Sequence, residues 1–187
     1  MFSRLHVIGG LAKGRKLNSL HGRKTRPTSG LVREALFDIL GSDVEGCRFL
    51  DVFAGTGAVG IEALSRGAER LTAIENNPAA VKVLYKNLEL CGFKPQTEVV
   101  HFDAVDALMM LNNRNQFFDI VFMDPPYGDE QGLKALQTAA RYPVAHAGSL
   151  VIFEHFHKQD PGQAFGRLSR QRLERWGDTC LSFYLQA

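Results

Sequence analysis

RFLDVFAGTGAVGIEALSRG, residues 48–67, decides the fold. Arg48 to Phe53 is an apolar run of strand length, and Gly55, Gly57 and Gly60 follow it at G-x-G-x-x-G spacing. Ile61, Leu64 and Ala68 recur at helical spacing, and Gly67 loosens the helix end. A strand, a glycine turn and a helix in that order let bare backbone approach a nucleotide-like ligand closely. Glu75 ends the next apolar run, LTAIE at 71–75, twenty residues after Gly55. A carboxylate there can accept both hydroxyl hydrogens of a ribose, whether the ribose belongs to NAD or to S-adenosylmethionine.

Outward from this unit, apolar runs of strand length alternate with segments of helical period, the signature of a parallel sheet with helical crossovers. Asn77 is a good N-cap with Pro78 at the first helical position, opening a helix to about Cys91 that Gly92 stops. TEVVH at 97–101 makes a third strand and a helix runs from near Ala104 to Leu111. FDIVFMD at 118–124 is a strand apolar on both faces, hence central. DPPYGDE is a loop, Gln131 to Arg141 a helix and GSLVIFEH a fifth strand. LSRQRLERW and TCLSFYLQ alternate on either side of Gly177 and Asp178 and read as an antiparallel hairpin on the sheet edge. At the other end, RLHVI and RKLN flank a glycine-rich turn, and Thr28 or Ser29 caps a helix through Leu40.

A chain of 187 residues is one domain, or one domain with a short appendage. Hydrophobic residues at 45% and charged residues at 22% exclude a disordered, collagenous or coiled-coil chain. No apolar run reaches the ~18 residues of a membrane span, and MFSRLHVIGG lacks the long apolar stretch of a secretory signal, so a soluble cytoplasmic protein is expected. Cys47, Cys91 and Cys180 lack metal-type spacing and read as buried small hydrophobes in a reducing compartment. The formal net charge of +2 hides an asymmetry: residues 1–33 hold eight cations and no acid, leaving fourteen cations against twenty acids in the remainder. Such a like-charged block marks a solvated tail or a nucleic-acid contact, and composition leaves the two even.

The choice of ligand turns on the residues around the glycine loop. Asp51, four residues before Gly55, could pair with a cationic aminoacyl head group or orient the loop, and it would repel a dinucleotide pyrophosphate. Asp103 could accept a hydrogen bond from an adenine amine and is also the natural N-cap of the helix that follows it. Asp124-Pro125-Pro126-Tyr127 lies at the carboxyl end of the central strand, where open α/β sheets place their ligands. An exocyclic amine on an aromatic ring is a poor nucleophile because its lone pair is delocalised. The Asp124 carboxylate and the Pro125 carbonyl can accept the amine hydrogens and aim that lone pair at a methyl donor. Pro126 stiffens the loop, and Tyr127 offers a flat face for a base.

VFAGTGAVGIEALSRGA, the DPPY tetrad, and VIGGLAKGRKLNS with RPTSGLVREALFDIL together resemble the RsmD family, bacterial 16S rRNA (guanine-N2)-methyltransferases, over nearly the whole chain. DPPY is shared with many amino methyltransferases, whereas GRKL followed by RPT and VREALF is particular to this family. The glycine turn departs from it at Ala12 or Lys13, where an aromatic is usual. The resemblance implies an α/β fold: a Rossmann-like, mostly parallel class I methyltransferase sheet with a C-terminal antiparallel hairpin, plus an N-terminal β-hairpin and helix. Residues 1–40 would be a basic, RNA-contacting element and 41–187 the S-adenosylmethionine-dependent domain. Asp51, Ala54, Gly55 and Gly57 would hold the donor, together with Glu75 and Asn76, Asp103 and Ala104, and Asp124. Asp124, Pro125, Pro126 and Tyr127 would carry the chemistry, while Arg15, Lys16, Lys24, Arg26 and Arg33 would meet RNA. The donor's product would be S-adenosylhomocysteine, with no metal. The partner would be 16S rRNA, in the small ribosomal subunit or an assembly intermediate, acted on by a monomer.

Other features carry less. His155 and His157 are expected to be exposed loop residues rather than a metal pair. Phe156 either covers a flipped base or packs, and Arg167, Arg170, Arg172 and Arg175 suit a guarded edge strand. Rival readings are adenine-N6 methylation of DNA, methylation of a protein glutamine, an NAD oxidoreductase, and a non-catalytic rRNA-binding module.

Overall fold

The computed structural model describes residues 5–20, 30–126 and 130–187. Tyr127, Lys24, Arg26 and the expected cap at Thr28 or Ser29 lie outside these residues. Among the described residues eight strands form one sheet: β1 Arg48–Asp51, β2 Arg70–Ile74, β3 Thr97–Val100, β4 Phe118–Met123, β5 Ala145–Phe156, β6 Ala164–Phe165, β7 Leu168–Trp176 and β8 Thr179–Gln186. Their order is β3-β2-β1-β4-β5-β8-β7-β6. The first five are parallel, and β8, β7 and β6 pair antiparallel with their neighbours. Among the described residues five α-helices, α1 Gly30–Leu40, α2 Ala58–Ser65, α3 Pro78–Cys91, α4 Ala104–Asn113 and α5 Glu130–Arg141, cover the two faces.

The central strands are apolar at consecutive positions because both faces are covered. Phe49, Ile120, Phe122, Ile152 and Phe183 join one core with α1, α2 and α3. Their neighbours Leu50, Val121, Met123, Val151, Phe153 and Tyr184 join a second core with α4 and α5. One residue of slip would exchange the two sets, so the register is strongly specified. The helix ends follow local chemistry. Asn77 Oδ1 accepts from the Ala79 N–H at 2.9 Å to open α3, and Gly92, at φ +78°, closes it.

Two expectations are corrected, at His155 and at Cys91. The N-terminal hairpin is short: His6 pairs antiparallel with Lys16, the Val7 N–H donates to the Arg15 carbonyl at 3.0 Å and the Leu17 N–H to the Leu5 carbonyl at 2.9 Å. Its glycine turn bonds to α2 as well as to itself: the Leu11 N–H donates to the Ser65 carbonyl at 2.7 Å and the Ala12 N–H to Ser65 Oγ at 2.9 Å, while the Gly14 N–H donates to the Val7 carbonyl at 2.8 Å. Gly10 sits at φ +71°, where a Cβ would come within 1.7 Å of the Ser65 oxygen, so the contact requires glycine. Val7, Ala12 and Leu17 are buried in the core shared with Phe37 and Leu64. His155 is not a loop residue, because β5 continues through it and pairs it with Cys180, burying it. Burial lowers its pKa, and its Nε2 lies 2.9 Å from Ser182 Oγ. Among the cysteines, Cys47 and Cys180 are buried but Cys91 is half-buried at the end of α3.

Candidate active site

The chain builds β1, β2 and β3 outward to one side and returns to β4 on the other side of β1. Such a reversal opens a crevice at the carboxyl ends of the strands. Asp51 is the last residue of β1, Glu75 follows β2, Asp103 follows β3 and Asp124 follows β4. Met123 and Phe153 are paired in register, so Asp124 and Glu154 are the next residues along adjacent strands. Five carboxylates thus gather at one edge.

The glycine loop is fixed from below. Gly55, at φ +55°, has nothing within 4 Å of an added Cβ, so its outer face is open. Its N–H donates to Glu75 Oε2 at 2.7 Å, and Glu75 Oε1 accepts from the Asn77 N–H at 2.7 Å. Each carboxylate oxygen keeps a lone pair for a further donor. Gly57, at φ +84°, lies so near α3 that a Cβ would meet Leu84 Cδ1 at 2.3 Å, and a Cβ on Gly60 would meet Leu71 at 2.7 Å. The first glycine therefore leaves open space beside the loop, and the other two serve packing. The Ala54 N–H donates to the Ile74 carbonyl at 2.9 Å, tying the loop to β2.

Asp51 has 2% exposure, and its Oδ2 accepts from the Gly60 N–H at 3.2 Å in the first turn of α2. Of the two roles open to it, orienting the loop is the one its bond displays. Burial, then the nearby Asp124 and Glu75 charges, push its pKa up to about 7 against the pull of the Gly60 bond. Asp103 Oδ1 accepts from the Val105 N–H at 3.0 Å and caps α4. Its second oxygen remains available, beside buried Ala104. Asn76 is exposed, with its carbonyl 3.2 Å from His101 Nε2.

Beyond Asp124, Pro125 is buried under α5, where a Cβ on Gly132 would meet Pro125 Cγ at 2.4 Å. A cleft of about 260 Å³ opens beside it, lined by Pro126, Phe153, Glu154, His155, Phe156 and Asp160 among others. Arg170 secures one wall by a paired contact with Asp160, at 2.6 and 3.1 Å, and this partner holds the Asp160 carboxyl below its usual range. A wider cavity of about 410 Å³ lies at the amino ends of the strands, around Asp119 and His146. It is at the edge opposite the glycine loop. No group of three potential metal ligands occurs among the described residues.

The cations divide. Arg15 and Lys16 are exposed on the N-terminal turn. Arg33, expected to meet RNA, is 2% exposed; it donates to the His6 carbonyl and lies 3.8 Å from Glu62. Its spacing places it on the face of α1 that packs inward with Val32, Leu36 and Phe37, so it is a core cation and not an RNA contact. Sequence reasoning also passed over Glu62, Asn87 and Glu154, polar residues that end up buried. A lone acid on the inner face of α2 was the available signal for Glu62.

A sequence model of the family described as Conserved hypothetical protein 95 matches residues 5–185. The chain is 36% identical over 181 residues to "Putative rRNA methyltransferase YlbH" of Bacillus subtilis, covering 96% of this chain and 98% of the relative. The chain belongs to the RsmD family. Another relative, "Ribosomal RNA small subunit methyltransferase D" of Buchnera aphidicola, is 37% identical over 159 residues, covering 84% of this chain and 81% of the relative. The solved structure titled "Putative methyltransferase yhhF from Escherichia coli" superposes with a TM-score of 0.85 at 28% identity, covering 98% of each chain. This RsmD-family chain therefore carries the α/β fold expected of it, including the C-terminal antiparallel strands.

Proposed function

We propose that this RsmD-family protein transfers the methyl group of S-adenosylmethionine to the exocyclic N2 of a guanine in 16S rRNA. The observation that carries the reading is the meeting, at one sheet edge, of the open Gly55 loop with Glu75 and of Asp124-Pro125 with its adjoining cleft. The donor fits these residues: Gly55 leaves space for it, Glu75 offers two lone pairs to a ribose, and the free oxygen of Asp103 suits an adenine amine. When bound, the donor supplies a methyl carbon made electrophilic by its sulfonium.

The protein's share is alignment. Gly55, Glu75 and Asp103 fix the donor, with Ala54, Gly57, Asn76 and Ala104 shaping its seat and Asp51 holding the loop against α2. The Asp124 carboxylate and the Pro125 carbonyl accept amine hydrogens and turn the nitrogen lone pair toward the methyl carbon. Once methylated, the nitrogen is strongly acidic and its proton passes to Asp124 or water. Pro126 keeps the turn rigid, and Tyr127 supplies a stacking face. Glu154, next to Asp124 in register, is a second acceptor. Guanine presents a ring N1–H beside its amine, whereas adenine presents a bare ring nitrogen, so two neighbouring carboxylates favour guanine over the rival adenine.

Residues 1–40 form the RNA-contacting element on the methyltransferase domain 41–187, with Arg15 and Lys16 on its exposed turn and Lys24 and Arg26 in the same basic segment. The partner is 16S rRNA within the small subunit or an assembly intermediate, and the protein works as a cytoplasmic monomer. The test supplies labelled donor with small-subunit particles, naked 16S rRNA, DNA and protein extract from cells lacking the chain. N2-methylguanosine in the rRNA, identified by mass spectrometry, is the expected product. Label in N6-methyladenine of DNA or in methylglutamine would replace this reading with one of its rivals.

A further inference from the structure

Asn87 is fully buried on α3 and uses its whole side-chain amide. Its Nδ2 donates to the Thr56 carbonyl at 2.9 Å and to the Asn18 carbonyl at 3.0 Å. Its Oδ1 accepts from the Asn18 N–H at 2.8 Å and from Asn18 Nδ2 at 3.0 Å. Thr56 lies between the two glycines of the donor loop, and Asn18 lies two residues beyond exposed Lys16. One side chain therefore joins the candidate RNA-contacting turn to the candidate donor loop. An aspartate would lack both donors and a leucine would offer nothing, so the amide is matched to this junction.

We infer that Asn87 is a positioning residue for the donor loop, through which the N-terminal turn and the donor site raise each other's affinity; this rests on the functional reading above. The loop meets α3 where Gly57 seats against Leu84 and where the Thr56 carbonyl accepts from Asn87. The loop in turn presents Gly55 to Glu75. Whatever orders residues 15–18 also orders Asn87, and this lowers the cost of ordering the loop around a ligand. Linkage makes the effect reciprocal: RNA must tighten donor binding by the factor by which donor tightens RNA binding.

The test compares the parent chain with Asn87→Ala and with Leu88→Ala, a fully buried neighbour on the same helix that makes no polar bond to the loop. Amide exchange of Gly55 and Gly57 is followed without ligand, and S-adenosylhomocysteine affinity is measured with and without small-subunit particles. Asn87→Ala is expected to speed exchange at both glycines and to weaken S-adenosylhomocysteine, each by about tenfold relative to Leu88→Ala, the scale of losing a buried hydrogen-bond partner. Particles should tighten S-adenosylhomocysteine on the parent by about fivefold or more, the lower range of allosteric couplings, and this factor should fall toward one in Asn87→Ala. Asn18→Ala, at an exposed position, keeps the fold and should lower the same factor partway. If Asn87→Ala matches Leu88→Ala in exchange and affinity, or keeps the parent's coupling factor, the inference is overturned. A parent that binds no S-adenosylhomocysteine overturns the functional reading instead, while the exchange at Gly55 still judges Asn87.

Discussion

Glu62 and Asp51 are carboxylates with almost no solvent exposure, on consecutive elements of one strand–loop–helix unit, yet their surroundings are opposite. Glu62 is surrounded by donors: the Ile8 and Gly9 N–H groups at 2.8 and 2.7 Å, Arg66 Nε at 2.9 Å and Arg33 at 3.8 Å. Asp51 has backbone N–H bonds, but its charged neighbours are the like-charged Asp124 and Glu75. Glu62 joins three segments of the fold, and its charge is neutralised within the protein. The carboxylates at the sheet edge repel one another, an arrangement that costs stability and suits a site built for incoming hydrogen-bond donors and positive charge.

The largest effect should come from breaking the neutralised member. Glu62→Ala leaves Arg33 buried without its counter-charge and two backbone N–H groups without acceptors. A loss of about 3 to 5 kcal/mol is expected, the range for removing one partner of a buried pair. Denaturant unfolding measures it, and a loss below about 1 kcal/mol would put Glu62 in the class of surface ion pairs and dissolve the contrast.

At the sheet edge the same truncation should spare the fold and reduce the chemistry. Asp124→Ala is expected to lower methyl-transfer turnover by about a hundredfold, as removal of one preorganised polar partner does. Donor affinity, read by calorimetry, should stay near the parent's. Turnover within about threefold of the parent would remove Asp124 from the mechanism.

Glu75→Ala should act on binding, since a ribose contact is made equally before and during methyl transfer. S-adenosylhomocysteine should bind more weakly by about 1.5 to 3 kcal/mol, the value of hydrogen bonds to a charged group. Part of that loss belongs to the loop, because Glu75 also holds the Gly55 N–H. Unchanged affinity would strike Glu75 from the donor site.

What was legible in the sequence follows the same division. The sheet, the Asn77 and Asp103 caps and the placing of Asp51, Glu75, Asp103 and Asp124 at strand ends were readable, because period and cap chemistry are local. The partners of Arg33 were not: a cation among seven others reads as surface, and only the packing of α1 against α2 turns it inward. The same holds for the glycine turn, whose bonds to α2 go to Ser65, more than fifty residues away, and for Asn87, whose partners lie 69 and 31 residues off. His155 was misread because β8, which continues the sheet beside it, arrives late in the chain.

The smallest effect, and the one that separates the two carboxylates most sharply, is in pH. With its pKa raised from 3.8 to about 7, Asp51 holds a proton in the folded protein over a range where the unfolded chain has released it. Folding is therefore favoured by this group below pH 3.8, and that contribution is lost as pH rises toward about 7. Asp51→Asn keeps an oxygen to accept from the Gly60 N–H and removes the titration. At pH 8 it should be more stable than the parent by about 1 kcal/mol or more, roughly 2 to 4 °C in Tm for a chain of this size. At pH 5 the advantage should shrink, since the parent then folds with Asp51 protonated. Glu62→Gln should do the reverse at pH 8 and lower Tm, because it discharges the group that Arg33 and Arg66 surround. Equal Tm differences for Asp51→Asn at pH 5 and pH 8 would mean that Asp51 does not titrate in this window, and the two carboxylates would then differ in position alone.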